Sequence, residues 1–210
     1  MTEPSEFYSK HVKRLLDLVG SIALLVFSSP VHLICAAAIK IDDGGPVYFH
    51  QERIGWNGRP FTLFKLRTMT EGTHEKSGGY PTISMVTNVG TTLRRFSLDE
   101  VPQLWNILLG DMSFVGPRPA LPDQVERYTL TQRRRLLVRP GLTGAAQVKF
   151  RNNAPWSVRI REDIRYVESV SLLNDLKILL KTIPSALAGE GQSIGQTADQ
   201  VDDLGPSSRG

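Results

Sequence analysis

Between Leu15 and Ile41 the chain reads LLDLVGSIALLVFSSPVHLICAAAIKI, an apolar run long enough to span a bilayer core of about 30 Å. It is interrupted. Asp17 lies near its start, Lys40 near its end, and Ser28, Ser29 and Pro30 fall near the middle. Proline has no N–H to donate and its ring crowds the preceding turn, so a helix through Pro30 bends. Two apolar half-helices are expected, Leu18–Phe27 and Val31–Ile39, each rising roughly 15 Å or less, about half the bilayer thickness. Lys10, His11, Lys13 and Arg14 flank the entry and Lys40 the exit. The positive-inside tendency puts the entry on the cytoplasmic side and mildly favours the same side for the exit. Two readings stand: a re-entrant helix-break-helix, or an ordinary spanning helix with a proline kink. The residues alone slightly favour the second, because kinked spanning helices are the commoner object. A cleaved signal peptide fits less well, since the run starts late and holds an acid and a proline, although Ala36, Ala37 and Ala38 mimic a cleavage site.

With 210 residues, 40% of them hydrophobic, the chain can bury one core of ordinary size. The expected division is a basic lead-in and membrane helix over 1–45, a catalytic domain over 46–188, and a disordered tail over 189–210. The tail is acidic, with Glu190, Asp199, Asp202 and Asp203 against Arg209, so residues 1–188 carry 24 bases and 17 acids. A body this basic attracts phosphates, whether of nucleic acid, anionic lipid or a nucleotide. The single cysteine, Cys35, excludes a disulfide scaffold and suits a reducing compartment. His11, His32, His50 and His74 show no zinc spacing.

The fold class expected is α+β, mostly helical with a small β-hairpin. VYFHQERIGWNGRPFTLFKLRTM has two β-prone runs around Asn57-Gly58, a strong turn signal. On the second strand, alternation puts Phe61, Leu63, Lys65 and Arg67 on one face, so two cations sit side by side. A solvated strand end explains them about as well as a phosphate site. Thr70–Val89 reads as loop, and TTLRRFSLDEVPQLWNILL as a basic lead-in to an amphipathic helix whose Trp105 can mark a membrane interface. GDMSFVGPRPA is a loop that holds Arg118 between two prolines. A polar helix is expected near Gln124–Leu137, its Arg133, Arg134 and Arg135 forming a solvated face, then a rigid turn at RPGLTG. Pro155–Ile183 reads as one more helix, ending at Pro184.

Ser97-Leu98-Asp99-Glu100 has the S-x-x-E form of a capping box, so its carboxylates can serve only to satisfy free amides at a helix start. The same geometry serves catalysis: adjacent carboxylates at a helix N-terminus can hold a divalent cation, face a phosphate, and attack phosphorus. Spacing does not separate the two.

RRFSLDEVPQLWNILLGDMSFVGPRP, followed by VRPGLTGAAQV and LLNDLKILLKTI, resembles the monotopic phosphoglycosyl transferases, or bacterial sugar transferase family, in its small single-domain form. The resemblance runs from the basic lead-in through FKLRTM to about Ile183. It implies a monotopic membrane protein of the bacterial inner membrane, cytoplasmic face, whose re-entrant helix breaks at Ser29-Pro30, with amphipathic interfacial helices. It also implies transfer of a sugar phosphate from a UDP-sugar to a polyprenyl phosphate, with release of UMP. Asp99 would be the nucleophile of a covalent aspartyl-phosphosugar and a Mg2+ ligand, and Glu100 its partner in the dyad. Lys65, Arg94, Arg118, Arg139 and Arg151 are the candidate phosphate contacts, because arginine binds phosphate oxygens in pairs. Asp163 and Asp175 are supporting acids. Lys149-Phe150-Arg151 departs from the family pattern by placing a bulky Phe150 before the arginine, which bears on sugar selectivity. The implied partners are the UDP-sugar, the polyprenyl phosphate and membrane lipids; a homo-oligomer is compatible, and nucleic acid is not expected.

The rival reading is a non-catalytic, membrane-anchored basic scaffold that binds anionic lipid or nucleic acid. It gives no reason for Asp-Glu at a helix start among prolines and arginines, and the stacking platforms of nucleic-acid readers are missing.

Overall fold

In the computed structural model, residues 7–73, 83–150, 154–187 and 202–205 are described. Helix α1 (Lys13–Asp43) runs through Pro30 without interruption. The expected division into two half-helices is therefore corrected, and the reason is local. Pro30 cannot donate to the Val26 carbonyl, and the Ser29 hydroxyl donates to it instead at 2.8 Å. Gly44 ends the helix in the left-handed region, its N–H bonding the Lys40 carbonyl at 3.1 Å.

One stripe of α1 is buried: Lys13, Asp17, Ser21, Cys35 and Ile39, at helical spacing. Much of the remaining surface is exposed and apolar, including Val19, Phe27, Leu33, Ile34 and Ile41. Both ends bind the same body. At the start, Arg14 donates to the carbonyls of Ile107 and Leu108 at 2.5 and 2.8 Å, and Asp17 accepts from Phe114 N at 3.0 Å and Ser113 Oγ at 3.1 Å. At the far end, Asp43 pairs with Arg67, and Asp42 accepts from Val89 N at 3.2 Å. The acid inside the apolar run is thus a buried, hydrogen-bonded docking point, as a charge in such a place must be.

Strands β1 (Tyr48–Ile54) and β2 (Pro60–Leu66) form the expected antiparallel hairpin, with Tyr48 opposite Leu66 and Ile54 opposite Pro60. Asn57 and Gly58 both take positive φ, 55° and 76°, which asparagine and glycine accept more readily than other residues. Lys65 and Arg67 do not stay together. The ladder ends at Leu66, so Arg67 leaves the strand's alternation and donates to Asp43 and the Pro46 carbonyl, whereas Lys65 turns to Glu100.

Helix α2 (Asn88–Arg95) leads through a single turn at Leu98–Glu100 into α3 (Gln103–Leu109), which packs on β2. Asn106 makes that junction. Fully buried, it donates from Nδ2 to the Thr62 carbonyl at 2.7 Å and accepts from Phe64 N at 3.1 Å. The loop and turn expected next are in fact paired as a short parallel sheet, β3 (Ser113–Val115) with β4 (Gly141–Thr143). Gly116 and Gly141 permit it: a Cβ on Gly141 would stand 2.1 Å from Gly116 N.

The polar helix expected over Gln124–Leu137 is instead α4 (Pro122–Glu126) and a separate 3-10 turn at Gln132–Leu137. Its Arg135 is not solvated but 2% exposed, paired with Asp163 at 2.6 Å. After α5 (Ala145–Phe150), the last expected helix is two, α6 (Trp156–Glu168) and α7 (Leu172–Leu187), the latter running past Pro184. Leu172, Leu173, Leu176, Leu180 and Ile183 of α7 face outward, as do Trp105 and Leu109 of α3.

Among the described residues of the tail, three make contacts with the body. Asp202 pairs with Arg127 at 2.7 Å, Leu204 packs against the cluster around Ile160, and Asp203 accepts from Ser157 N at 2.9 Å. Pro155 offers α6 no side-chain cap, so Asp203 supplies one from 46 residues away.

Candidate active site

The site is built where α2 turns into α3. Ser97 takes φ 56°, in the left-handed region, which costs roughly 1–2 kcal/mol for a residue with a Cβ. That reversal swings Leu98–Glu100 into position. Ser97 makes no side-chain cap, and its N–H bonds the Arg94 carbonyl at 3.2 Å, so the capping-box alternative is not realised.

Asp99 is 2% exposed and has no hydrogen-bond partner among the described residues; its nearest cation is Lys65, with Nζ 3.7 Å from Oδ2. Glu100 is engaged. Its Oε1 accepts from Lys65 Nζ at 2.9 Å and from Arg118 Nη1 and Nη2 at 3.4 and 3.3 Å. Arg94 lies alongside, donating from Nε to Thr68 Oγ1 at 2.9 Å within the field of both carboxylates.

These surroundings push the two acids apart. Burial raises the Asp99 carboxyl above the ordinary aspartate value, the Glu100 charge adds to the rise, and Lys65, Arg94 and Arg118 oppose it. Burial also acts upward on Glu100, but the charges and hydrogen bonds of Lys65 and Arg118 outweigh it and bring Glu100 down to about 2. One carboxylate is thus locked by its cations. The other is buried, adjacent, and free of hydrogen bonds, the condition of a nucleophile or a ligand to an oxygen-seeking cation.

A family description of bacterial sugar transferases matches residues 8–189, a stretch that contains the dyad, its cations and both ends of α1. The chain belongs to the bacterial sugar transferase family. Among similar members is the uncharacterized sugar transferase EpsL of Bacillus subtilis, 44% identical over 180 residues, which cover 86% of this chain and 89% of that one. The exopolysaccharide production protein ExoY of Rhizobium meliloti is 41% identical, covering 85% and 87%. The UDP-glucose:undecaprenyl-phosphate glucose-1-phosphate transferase of Caulobacter vibrioides is 42% identical, covering 83% of this chain and 69% of the relative.

Of the family-implied site residues, Lys65, Arg94, Asp99, Glu100 and Arg118 come together. Arg139 does not join them: its Nε donates to the Gly110 carbonyl at 2.9 Å and its guanidinium lies 4.5 Å over the Trp56 ring. Asp163 holds Arg135, which also donates to the Arg118 carbonyl at 3.0 Å, so this acid braces the loop that carries Arg118. Asp175 is remote from the dyad and ties the lead-in to α7, accepting from Lys13, from Tyr8 Oη at 2.7 Å and from Tyr166 Oη at 2.7 Å. Arg151 lies outside the described residues.

Three residues of this bacterial sugar transferase escaped the sequence reading. Asn106 fixes β2 against α3, and its signal was an asparagine on the apolar face of an amphipathic helix. Arg135 was hidden in a run of three arginines. Arg53 sits on β1 near Glu100 and Arg118; burial first, then the Arg118 charge, draws it down to about 9. No local pattern marked it.

Proposed function

We propose that the protein transfers a sugar phosphate from a UDP-sugar to a polyprenyl phosphate at a membrane surface, with Asp99 as nucleophile. The observation that carries the reading is the unbonded, buried Asp99 carboxylate beside a Glu100 already neutralised by Lys65 and Arg118. The name of the Caulobacter relative supports both the donor and the acceptor class, and that of an undecaprenyl-phosphate galactose phosphotransferase from Salmonella typhimurium, 36% identical, supports the acceptor class and the transfer of a sugar phosphate.

In the first step an Asp99 oxygen attacks the phosphorus that bears the sugar. An aspartyl-phosphosugar bond forms, the bond to the bridging oxygen breaks, and UMP leaves with that electron pair. In the second, an oxygen of the polyprenyl phosphate attacks the same phosphorus and Asp99 departs, free for another cycle. Lys65 and Arg118 offset the charge that builds on the phosphate oxygens, and Glu100 holds both cations in place. Arg94 contributes at longer range.

Among the described residues no group of three or more His, Cys, Asp or Glu side chains converges. Adjacent carboxylates with hard oxygen donors still suit Mg2+, which is commonly held by one or two carboxylates with substrate phosphates completing its shell. Asp99, with no competing hydrogen bond, would hold it. The ion, when bound, supplies charge neutralisation at the diphosphate.

The membrane reading rests on α1. Its outer face is apolar along its length, both of its ends are tied to one body, and α7 and Trp105 present further apolar surface. A helix whose two ends bind the same body suits a re-entrant element on the cytoplasmic face better than a spanning one. The deciding experiment follows UMP release from a panel of UDP-sugars with polyprenyl phosphate and Mg2+, comparing the protein with Asp99→Asn. Release by the wild type alone, abolished by chelation, is expected; equal release by Asp99→Asn sinks the nucleophile assignment.

A further inference from the structure

Arg53 lies at the edge of this site with a hydrogen-bonding arrangement that is incomplete. Nε and Nη2 donate to Gln51 Oε1 at 3.1 and 2.5 Å, and Nη1 donates to the Pro119 carbonyl at 3.1 Å. Those bonds use three of the five N–H groups a guanidinium carries, and each acceptor is neutral. Among the described residues no carboxylate forms an ion pair with it, while Glu100, the acid whose charge it feels, is already bonded to Lys65 and Arg118.

Its placement is fixed from both sides. Gln51, on the same strand, grips two nitrogens, and the Pro119 carbonyl holds a third, so the fork is oriented before any ligand arrives. Pro119 directly follows Arg118, which brings the two guanidinium groups into one neighbourhood, each carrying a charge the other disfavours. Lys65, Arg94 and Arg118 surround Asp99 and Glu100, and Arg53 lies within the field of Glu100, so four cations accompany two carboxylates, an imbalance that favours an incoming anion of about two charges. A partly buried, preorientated arginine with two spare N–H groups matches the paired oxygens of a phosphate.

We propose that Arg53 is a further phosphate-binding residue of the transferase site, acting beside Arg118. The proposal rests on the reading of the site as a sugar-phosphate transferase. The same chemistry can come from two sources, the diphosphate of the nucleotide sugar or the phosphate of the polyprenyl acceptor, and kinetics separates them.

The test uses the full chain in a membrane mimetic, with Arg53→Met and Arg53→Lys, and follows KM for donor and acceptor separately, together with inhibition by UMP and by inorganic pyrophosphate. The expected result is a donor KM raised about tenfold or more by Arg53→Met, with kcat changed far less and pyrophosphate inhibition weakened in parallel. Arg53→Lys, which keeps the charge and loses the fork, falls between. A rise confined to the acceptor KM also supports the proposal and assigns the phosphate to the acceptor. Donor and acceptor KM both unchanged, with undiminished pyrophosphate inhibition, overturns it. So does a loss of kcat and melting temperature with both KM values intact, which is the mark of a structural role. If the wild type releases UMP from no donor, the reading of the reaction fails by itself. Equilibrium dialysis of pyrophosphate against wild type and Arg53→Lys then decides the arginine: weaker binding by the variant supports it, and equal binding overturns it.

Discussion

Lys65 Nζ stands 2.9 Å from Glu100 Oε1 and 3.7 Å from Asp99 Oδ2, so one ammonium group serves both acids but binds only one of them. This asymmetry adds to burial in separating the two acids. With the Asp99 carboxyl raised, chiefly by burial, activity that needs its carboxylate falls as pH drops through the raised value, and the acid limb of kcat/KM lies above 3.8. Glu100 raises Asp99 and Lys65 lowers it, so Glu100→Gln moves the limb to lower pH and Lys65→Met moves it higher. Residual activity of each variant, profiled against pH, is the measurement. Limbs that shift together in one direction refute the assignment.

Asn106 governs how Lys65 meets the dyad, because it clamps the strand residues on either side of Leu63 to the helix that follows Glu100. Asn106→Leu leaves Phe64 N and the Thr62 carbonyl without these partners, at about 1–3 kcal/mol for each buried group. The expected outcome is a lower melting temperature together with a fall in kcat. Unchanged turnover in a destabilised variant would show that the clamp does not position Lys65.

Arg135 and Asp163 are both buried, and Arg135 also bonds the carbonyl of Arg118. Asp163→Ala leaves an unpaired buried guanidinium and is expected to cost about 3–5 kcal/mol. Replacing both at once, with Arg135→Met and Asp163→Leu, should recover much of that stability while activity stays low, since the brace on Arg118 is gone. Denaturant titration and turnover on the same samples separate the two effects.

Asp203 caps α6 from the tail, so Asp203→Ala is expected to lower stability by about 1 kcal/mol near neutral pH. Burial acts upward on the Asp203 carboxyl, but its hydrogen bonds to Ser157 bring it below the ordinary 3.8. The contribution is therefore present above about 4 and fades as pH falls through that lower value. Melting curves of wild type and variant should converge in acid; a difference that persists or widens there would contradict the cap.

Topology is tested at the two ends of α1. With Cys35→Ala as background, single cysteines at Phe7 and Lys40, both exposed, are expected to react with a membrane-impermeant maleimide only after the cell is opened. Labelling of one in intact cells and the other only in opened ones would establish a spanning helix.

Much of this was legible locally. The apolar run, the Asn57-Gly58 hairpin, the start of α3 and the Asp99-Glu100 pair are each written in neighbouring residues, because periodicity, turn chemistry and missing N–H groups act within a few positions. A lost hydrogen bond is legible at Pro30 itself, whereas no local pattern marks Ser29 Oγ as the donor that takes up the freed Val26 carbonyl within a continuous helix. The parallel pairing of Ser113–Val115 with Gly141–Thr143 was not legible, since three-residue strands carry no period and their partner lies far along the chain. The cap on α6 was not legible for a similar reason: Asp203 finds its donor at Ser157 only once both segments are folded.

The sequence by itself determined which segments are apolar, which are basic, where two carboxylates meet the start of a helix, and the family to which such motifs belong. Tertiary structure alone decided which of the chain's many cations serve those carboxylates. It gathered Lys65, Arg94, Arg118 and Arg53, held Arg139 against Trp56, and turned Arg135 inward to Asp163. Charge is a property of a residue, whereas its partner and its pKa depend on burial and on distances between segments that no local pattern records.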